Sequence, residues 1–139
     1  MSDFILFKLA DKTYGIPFGE IDEIQNSKPG TSIPFSADWH EGVVKIREDI
    51  YTILSLRKKL NVSYEQQQDT DKFILLRREK VALLVDSLDD TASVPETALS
   101  ENEETASRRF LPSVFEHGDR LVLVLSVEAL LASTTGGGA

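Results

Sequence analysis

Apolar positions along this chain come in short runs broken by turn-forming residues. Residues 3–9, Asp-Phe-Ile-Leu-Phe-Lys-Leu, open as a strand; side chains alternate across a pleat, so Ile5, Phe7 and Leu9 share one face. Residues 10–13 read as a turn, and Tyr14-Gly15-Ile16 as the returning strand of a hairpin. Pro17 suits the start of a helical turn, because its missing N–H costs nothing there. Ile21 and Ile24 then fall on one side of that turn at the i, i+3 spacing. Residues 27–38 form a loop punctuated by Pro29, Gly30 and Pro34, with one short strand around Thr31-Ser32-Ile33. Gly42-Val43-Val44-Lys45-Ile46-Arg47 is a second strong strand, dense in β-branched residues. Glu48-Asp49 turns it into the strand Ile50-Tyr51-Thr52-Ile53.

Ser55 is placed to cap a short helix over 56–60, whose end carries Arg57, Lys58 and Lys59 beside the unpaired carbonyls. Residues 61–71 are polar and read as an exposed loop. Residues 72–76 and 80–85 form the next hairpin, turning at Arg77-Arg78-Glu79, and 88–94 reads as an edge strand. Residues 95–109 are acidic and hold at most a short helix. Residues 111–115 and 121–125 form the last hairpin, turning at His117-Gly118-Asp119; Ser126 caps a helix over 127–131. Many short strands at spacings of roughly 8–12 residues, with turn signals between them, predict a mainly β protein of the sandwich or barrel kind.

The size fits one domain over 1–132, followed by a small-residue tail, 133–139, in which Gly136-Gly137-Gly138 is expected to be disordered. A chain of 139 residues hides about 15,000 Å² on folding by size scaling, enough for one sizeable core or two small ones sharing a wall. With 15 basic and 23 acidic residues the formal charge is −8, which argues against nucleic acid and anionic lipid as partners. No run approaches the roughly 20 apolar residues of a membrane span. Met1-Ser2-Asp3 lacks the basic, then apolar start of a secretory signal, so a cytoplasmic location is expected.

Candidate chemistry is sparse. There is no cysteine, which removes disulfides, thiolate nucleophiles and thiolate zinc sites. No nucleophile elbow, phosphate loop or dinucleotide fingerprint is present. His40 lies beside Trp39 in a loop and His117 in a turn, the positions of ordinary surface imidazoles. Asp89-Asp90 and the Glu101, Glu103, Glu104 group lack the spacing of a calcium loop. No enzymatic activity, metal, cofactor or small-molecule substrate is expected. Attention therefore falls on surface. Arg47 ends an apolar strand, and its planar fork suits either a solvated strand end or an interface carboxylate. Ile21 and Ile24 flank Glu23; on spacing alone both isoleucines plug the core.

The order of segments resembles the CheW-like family of chemotaxis coupling proteins. Residues 4–16 and Ile21-Asp22-Glu23-Ile24 are similar to its opening hairpin and sequel. Gly42 to Arg47, Ile50 to Ile53 and Leu56-Arg57 are similar to its central motif, Asn-Leu-Arg-Gly, Ile-x-Pro and Asp-Leu-Arg. Ala82-Leu83-Leu84-Val85-Asp86-Ser87-Leu88 is similar to Gly-x-x-Val-Asp-x-Val. Gly118-Asp119-Arg120 to Leu125, with Glu128 to Leu131, is similar to its closing strand and helix. The resemblance implies two intertwined five-stranded, SH3-like barrels with a few short helices. It implies a non-catalytic scaffold that links the cytoplasmic tips of methyl-accepting chemoreceptors to the regulatory domain of the histidine kinase CheA, recruited to membrane-associated receptor arrays. An alternative within the resemblance is an adaptor or decoy in another two-component pathway, such as surface motility.

By matching position, Ile21, Glu23, Ile24, Arg47 and Leu88 become receptor-side candidates lining a groove, in a helix-in-groove mode. A separate barrel edge is left for the kinase. The chain departs from the family pattern at Lys45, Glu48, Thr52, Ser55 and Ala82. Glu48, where the family has glycine, offers Arg47 a charge partner but has no ease at positive φ.

Overall fold

The computed structural model describes residues 1–34, 36–63 and 65–135. Its strands are β1 (Ser2–Leu9), β2 (Lys12–Pro17), β3 (Ile21–Asn26), β4 (His40–Ile46), β5 (Asp49–Ser55), β6 (Lys72–Leu76), β7 (Val81–Val85), β8 (Ser87–Val94), β9 (Ser100–Glu101), β10 (Ser113–His117) and β11 (Arg120–Val124). Two helices, α1 (Leu56–Lys59) and α2 (Val127–Thr135), follow β5 and β11. One sheet runs β8-β1-β2-β11-β10-β9 and the other β3-β6-β7-β5-β4. The first hairpin thus joins the C-terminal strands, while the middle of the chain forms the second sheet, and that interleaving is the expected intertwining.

Three apolar cores follow from the pleat. Val44, Ile46, Tyr51, Ile53, Phe73, Leu75, Ala82 and Leu84 fill the five-stranded sheet. Phe4, Leu6, Ala92, Val94, Phe115, Val122 and Val124 fill the six-stranded one. Between them lies a shared core that includes Phe7, Leu9, Tyr14, Ile16, Ile74, Leu76, Leu83 and Val85. Ile5, Phe7 and Leu9 all face this shared core, as alternation requires, and Phe4 and Leu6 face the other way. β6 and β7 are apolar on both faces because both faces are buried. The chain therefore builds two small cores on either side of a larger shared one. Neither sheet closes by hydrogen bonds into a complete barrel among the described residues. The five-stranded sheet comes nearest: Thr31, just beyond β3, bridges Val43 of β4. Gly42, at φ 109°, permits that approach, since a Cβ there would collide with the Thr31 carbonyl.

Several local expectations are corrected. Pro17 does precede a helical turn, but it is a single 3-10 turn, Phe18–Glu20, and Ile21 and Ile24 lie beyond it on β3. A register shift between Ile21 and Glu23 inserts one extra residue, so both isoleucines still turn to the shared core despite odd spacing on a strand. The strand around Thr31 is one isolated bridge. Ser55 caps α1, its Oγ accepting from the Lys58 N–H at 3.3 Å, but Arg57 does not sit at an exposed helix end. It is 1% exposed. Asp71, at the end of the polar stretch 61–71, is buried as well. Ser126 caps α2, accepting from Ala129 N–H at 3.2 Å, and that helix runs to Thr135 rather than stopping at Leu131. Gly136, Gly137 and Gly138, expected to be disordered, lie outside the described residues.

Candidate functional site

The two edges of the five-stranded sheet are β3 and β4. Arg47 and Glu48 form the two-residue turn from β4 to β5, closed by the Ile46–Asp49 pair. The left-handed residue is Arg47 itself, at φ 57°, and not Glu48. A non-glycine residue there costs about 1–2 kcal/mol. The turn aims the guanidinium across the gap between the edges, where Arg47 Nη1 donates to Glu23 Oε1 at 2.8 Å. The carboxylate partner is Glu23 rather than the adjacent Glu48. Gln25 Nε2 donates to the other Glu23 oxygen. Gln25 and then Arg47 hold the Glu23 carboxyl below its ordinary range, and Glu23 in turn raises Arg47. The side chains are 53% and 39% exposed, so the pair contributes little to stability. A guanidinium has five N–H donors and this bond uses one, which leaves the fork open to a partner.

Of the five candidates, Glu23 and Arg47 are brought into contact across this gap, and Ile24 follows Glu23 on β3. Ile21, 9% exposed, belongs to the shared core and backs the strand, and Ile24 is half-buried against the same core. Leu88 lies on β8, the edge of the other sheet, opposite Phe7 and 39% exposed.

Sequence reasoning missed a second constellation. The fork of Arg57 meets Asp71 through Nη2 at 2.9 Å and Nη1 at 3.3 Å, and Nη1 also donates to Asp86. Asp71 further accepts from Gln68 N–H at 2.8 Å, and Asp86 from Ala10 N–H at 2.7 Å. One guanidinium thus ties α1 and the 66–71 loop to the β7–β8 junction and the β1–β2 turn. Burial pushes Arg57 down, but its bonds to Asp71 and Asp86 outweigh that and the net shift is upward. The signal was present, because Arg57 and Asp86 both fall in motif segments; a run of three cations at a helix end hid it.

Two further charge pairs lie on the six-stranded sheet. Arg120 meets Asp89, and His117 Nε2 lies 3.1 Å from Asp90. The Thr91 N–H and then His117 hold Asp90 below its ordinary value. His40 Nδ1 accepts from Gly42 N–H at 3.1 Å. Among the described residues no three acidic or imidazole groups gather as a metal site would require. No described helix is long and apolar enough to cross a membrane.

The arrangement of two open sheets sharing one core has a known counterpart. The CheW-like domain matches residues 3–135. The chain belongs to the CheW-like family. Within that family it is 28% identical over 132 residues to the chemotaxis protein CheW of Helicobacter pylori, covering 92% of this chain and 80% of that protein. It is 24% identical over 132 residues to the chemotaxis protein CheW of Bacillus subtilis, covering 91% and 85%. The CheW-like fold also appears in the scaffolding protein TtCheW from Thermoanaerobacter tengcongensis, with a TM-score of 0.83 and 18% identity over 91% of this chain and 89% of that one.

Proposed function

We propose that this chain couples chemoreceptor cytoplasmic tips to a CheA-type histidine kinase without catalysing a reaction itself. The observation that carries the reading is the family match across residues 3–135. In this reading Glu23 and Arg47 are the polar receptor contacts and half-buried Ile24 the apolar one, Ile21 backs β3 from the core, and Leu88 is a separate exposed apolar contact on the edge of the other sheet. The open β3 edge and half-buried Ile24 suit the apolar face of a receptor helix, and the unused Arg47 donors suit a carboxylate or carbonyl on it.

Contacts of this size give micromolar affinities, on the order of −8 kcal/mol, and a lattice of them adds avidity without any one tight site. The acidic residues at and beside the short edge strand β9, Glu101, Glu103 and Glu104, disfavour pairing of that edge with other chains. The test is a pull-down of the full chain with a receptor tip and a CheA regulatory domain from the same cell. Retention of both is expected; binding to neither overturns the reading.

A further inference from the structure

A cleft of about 740 Å³ opens where four segments converge: residues 37–39 before β4, α1 with the residue 61 beyond it, 109–110 before β10, and 132–133 of α2. That volume is in the range of ligand sites. Trp39 and Phe110 form its walls, and both pack against the shared core, so the walls are fixed in place. Lys59 Nζ lies 4.5 Å from the Trp39 ring centre and 5.6 Å from that of Phe110, and Arg109 Cζ lies 5.2 Å from the Phe110 ring. Lys58 is neutralised by Glu41 at 2.9 Å. Among the described residues Lys59 and Arg109 make ring contacts and no ion pair, while Asp38 is the acid in the lining. Burial and then the charge of Arg109 lower Lys59. Two like charges held over aromatic faces are thus an unmet demand for an anion, on a chain whose formal charge is −8.

We infer that the Trp39–Phe110 cleft docks a short acidic peptide segment of a protein partner, a carboxylate lying between Lys59 and Arg109 and an apolar side chain against the rings. A long polyanion such as nucleic acid is disfavoured by the acidic remainder of the surface. A lone phosphate or carboxylate would leave the aromatic walls and most of the volume unused. This site shares no residue with the Glu23–Arg47 edge and stands whether or not that edge binds a receptor.

Trp39 is the single tryptophan of the chain and reports on the cleft directly. The full chain is titrated with a synthetic peptide of alternating glutamate and leucine, following Trp39 emission. A saturable change is expected, weakening as salt rises and weakening about tenfold or more in the Lys59→Gln/Arg109→Gln variant. Absence of a saturable change overturns the inference, as does equal binding by the double variant or by a glutamine analogue of the peptide. Full displacement of the peptide by free glutamate or inorganic phosphate at comparable concentration also overturns it, in favour of a small-anion site. Asp38→Asn removes the acid from the lining and is expected to tighten binding severalfold. Should the double variant lower the urea midpoint, this second variant decides, and unchanged or weaker binding overturns the inference.

Discussion

Replacing Arg57 by methionine removes the charge at the centre of the molecule and keeps most of the volume. Asp86, whose side chain is 28% exposed, can turn to water and keeps the Ala10 N–H. Asp71, whose side chain is 3% exposed, cannot. It retains the Gln68 N–H and is otherwise a buried carboxylate without a countercharge. Breaking a buried pair on one side costs about 3–5 kcal/mol. Arg57 Nε has no hydrogen-bond partner among the described residues, so methionine also removes one small penalty, too small to offset the rest. For a domain of ordinary stability, about 5–15 kcal/mol, this is a large fraction. With a urea slope of about 2 kcal/mol/M the midpoint should fall by about 2 M, read by Trp39 emission and circular dichroism together. Adding Asp71→Asn to Arg57→Met removes the stranded charge and should recover about half of the loss. A midpoint for Arg57→Met within about 0.5 M of the parent, or no recovery in the double variant, refutes the account of Arg57 as the countercharge that makes Asp71 tolerable.

Further outcomes are expected elsewhere. Arg47→Glu should weaken receptor-tip binding by roughly 2 kcal/mol or more in a titration, with the melting temperature nearly unchanged, because the exposed Glu23 pair adds little stability; unchanged affinity returns Arg47 to a solvated strand end. Gly42→Ala forces a side chain into φ 109° and into the Thr31 carbonyl, and should cost about 2 kcal/mol or more in urea denaturation; a neutral effect removes the Thr31–Val43 bridge as a closing device. Burial, then Asp11, Glu104 and Asp86, push the Tyr14 hydroxyl from 10.0 up to about 12. The unfolded chain therefore ionises first, so stability is intact below pH 10 and should fall by about 3 kcal/mol as pH rises to 12. Tyr14→Phe should flatten that alkaline limb, and an unaltered limb excludes Tyr14 as its source.

The sequence by itself determined most of the strands, though not β3, read as part of a helical turn, nor the two-residue β9. Alternation places Ile5, Phe7 and Leu9 on one face whatever they meet, and hairpins such as β6–β7 and β10–β11 are local enough for turn chemistry to announce them. Capping by Ser55 and Ser126 was legible for the same reason, since a cap acts over three residues. The ordered motif segments carried the family as well. What joins distant parts of the chain was decided only in three dimensions. The parallel pairs β2–β11 and β5–β7, which interleave the halves, have no local signature. Nor does the bulge that returns Ile24 to the core face, because it exists only against β6. Arg57, Lys58 and Lys59 read alike in sequence, yet one is a buried clamp, one pairs with Glu41 and one lies over Trp39. Charge in water is cheap and charge in a core is not, and only the tertiary arrangement says which of the two a given side chain meets.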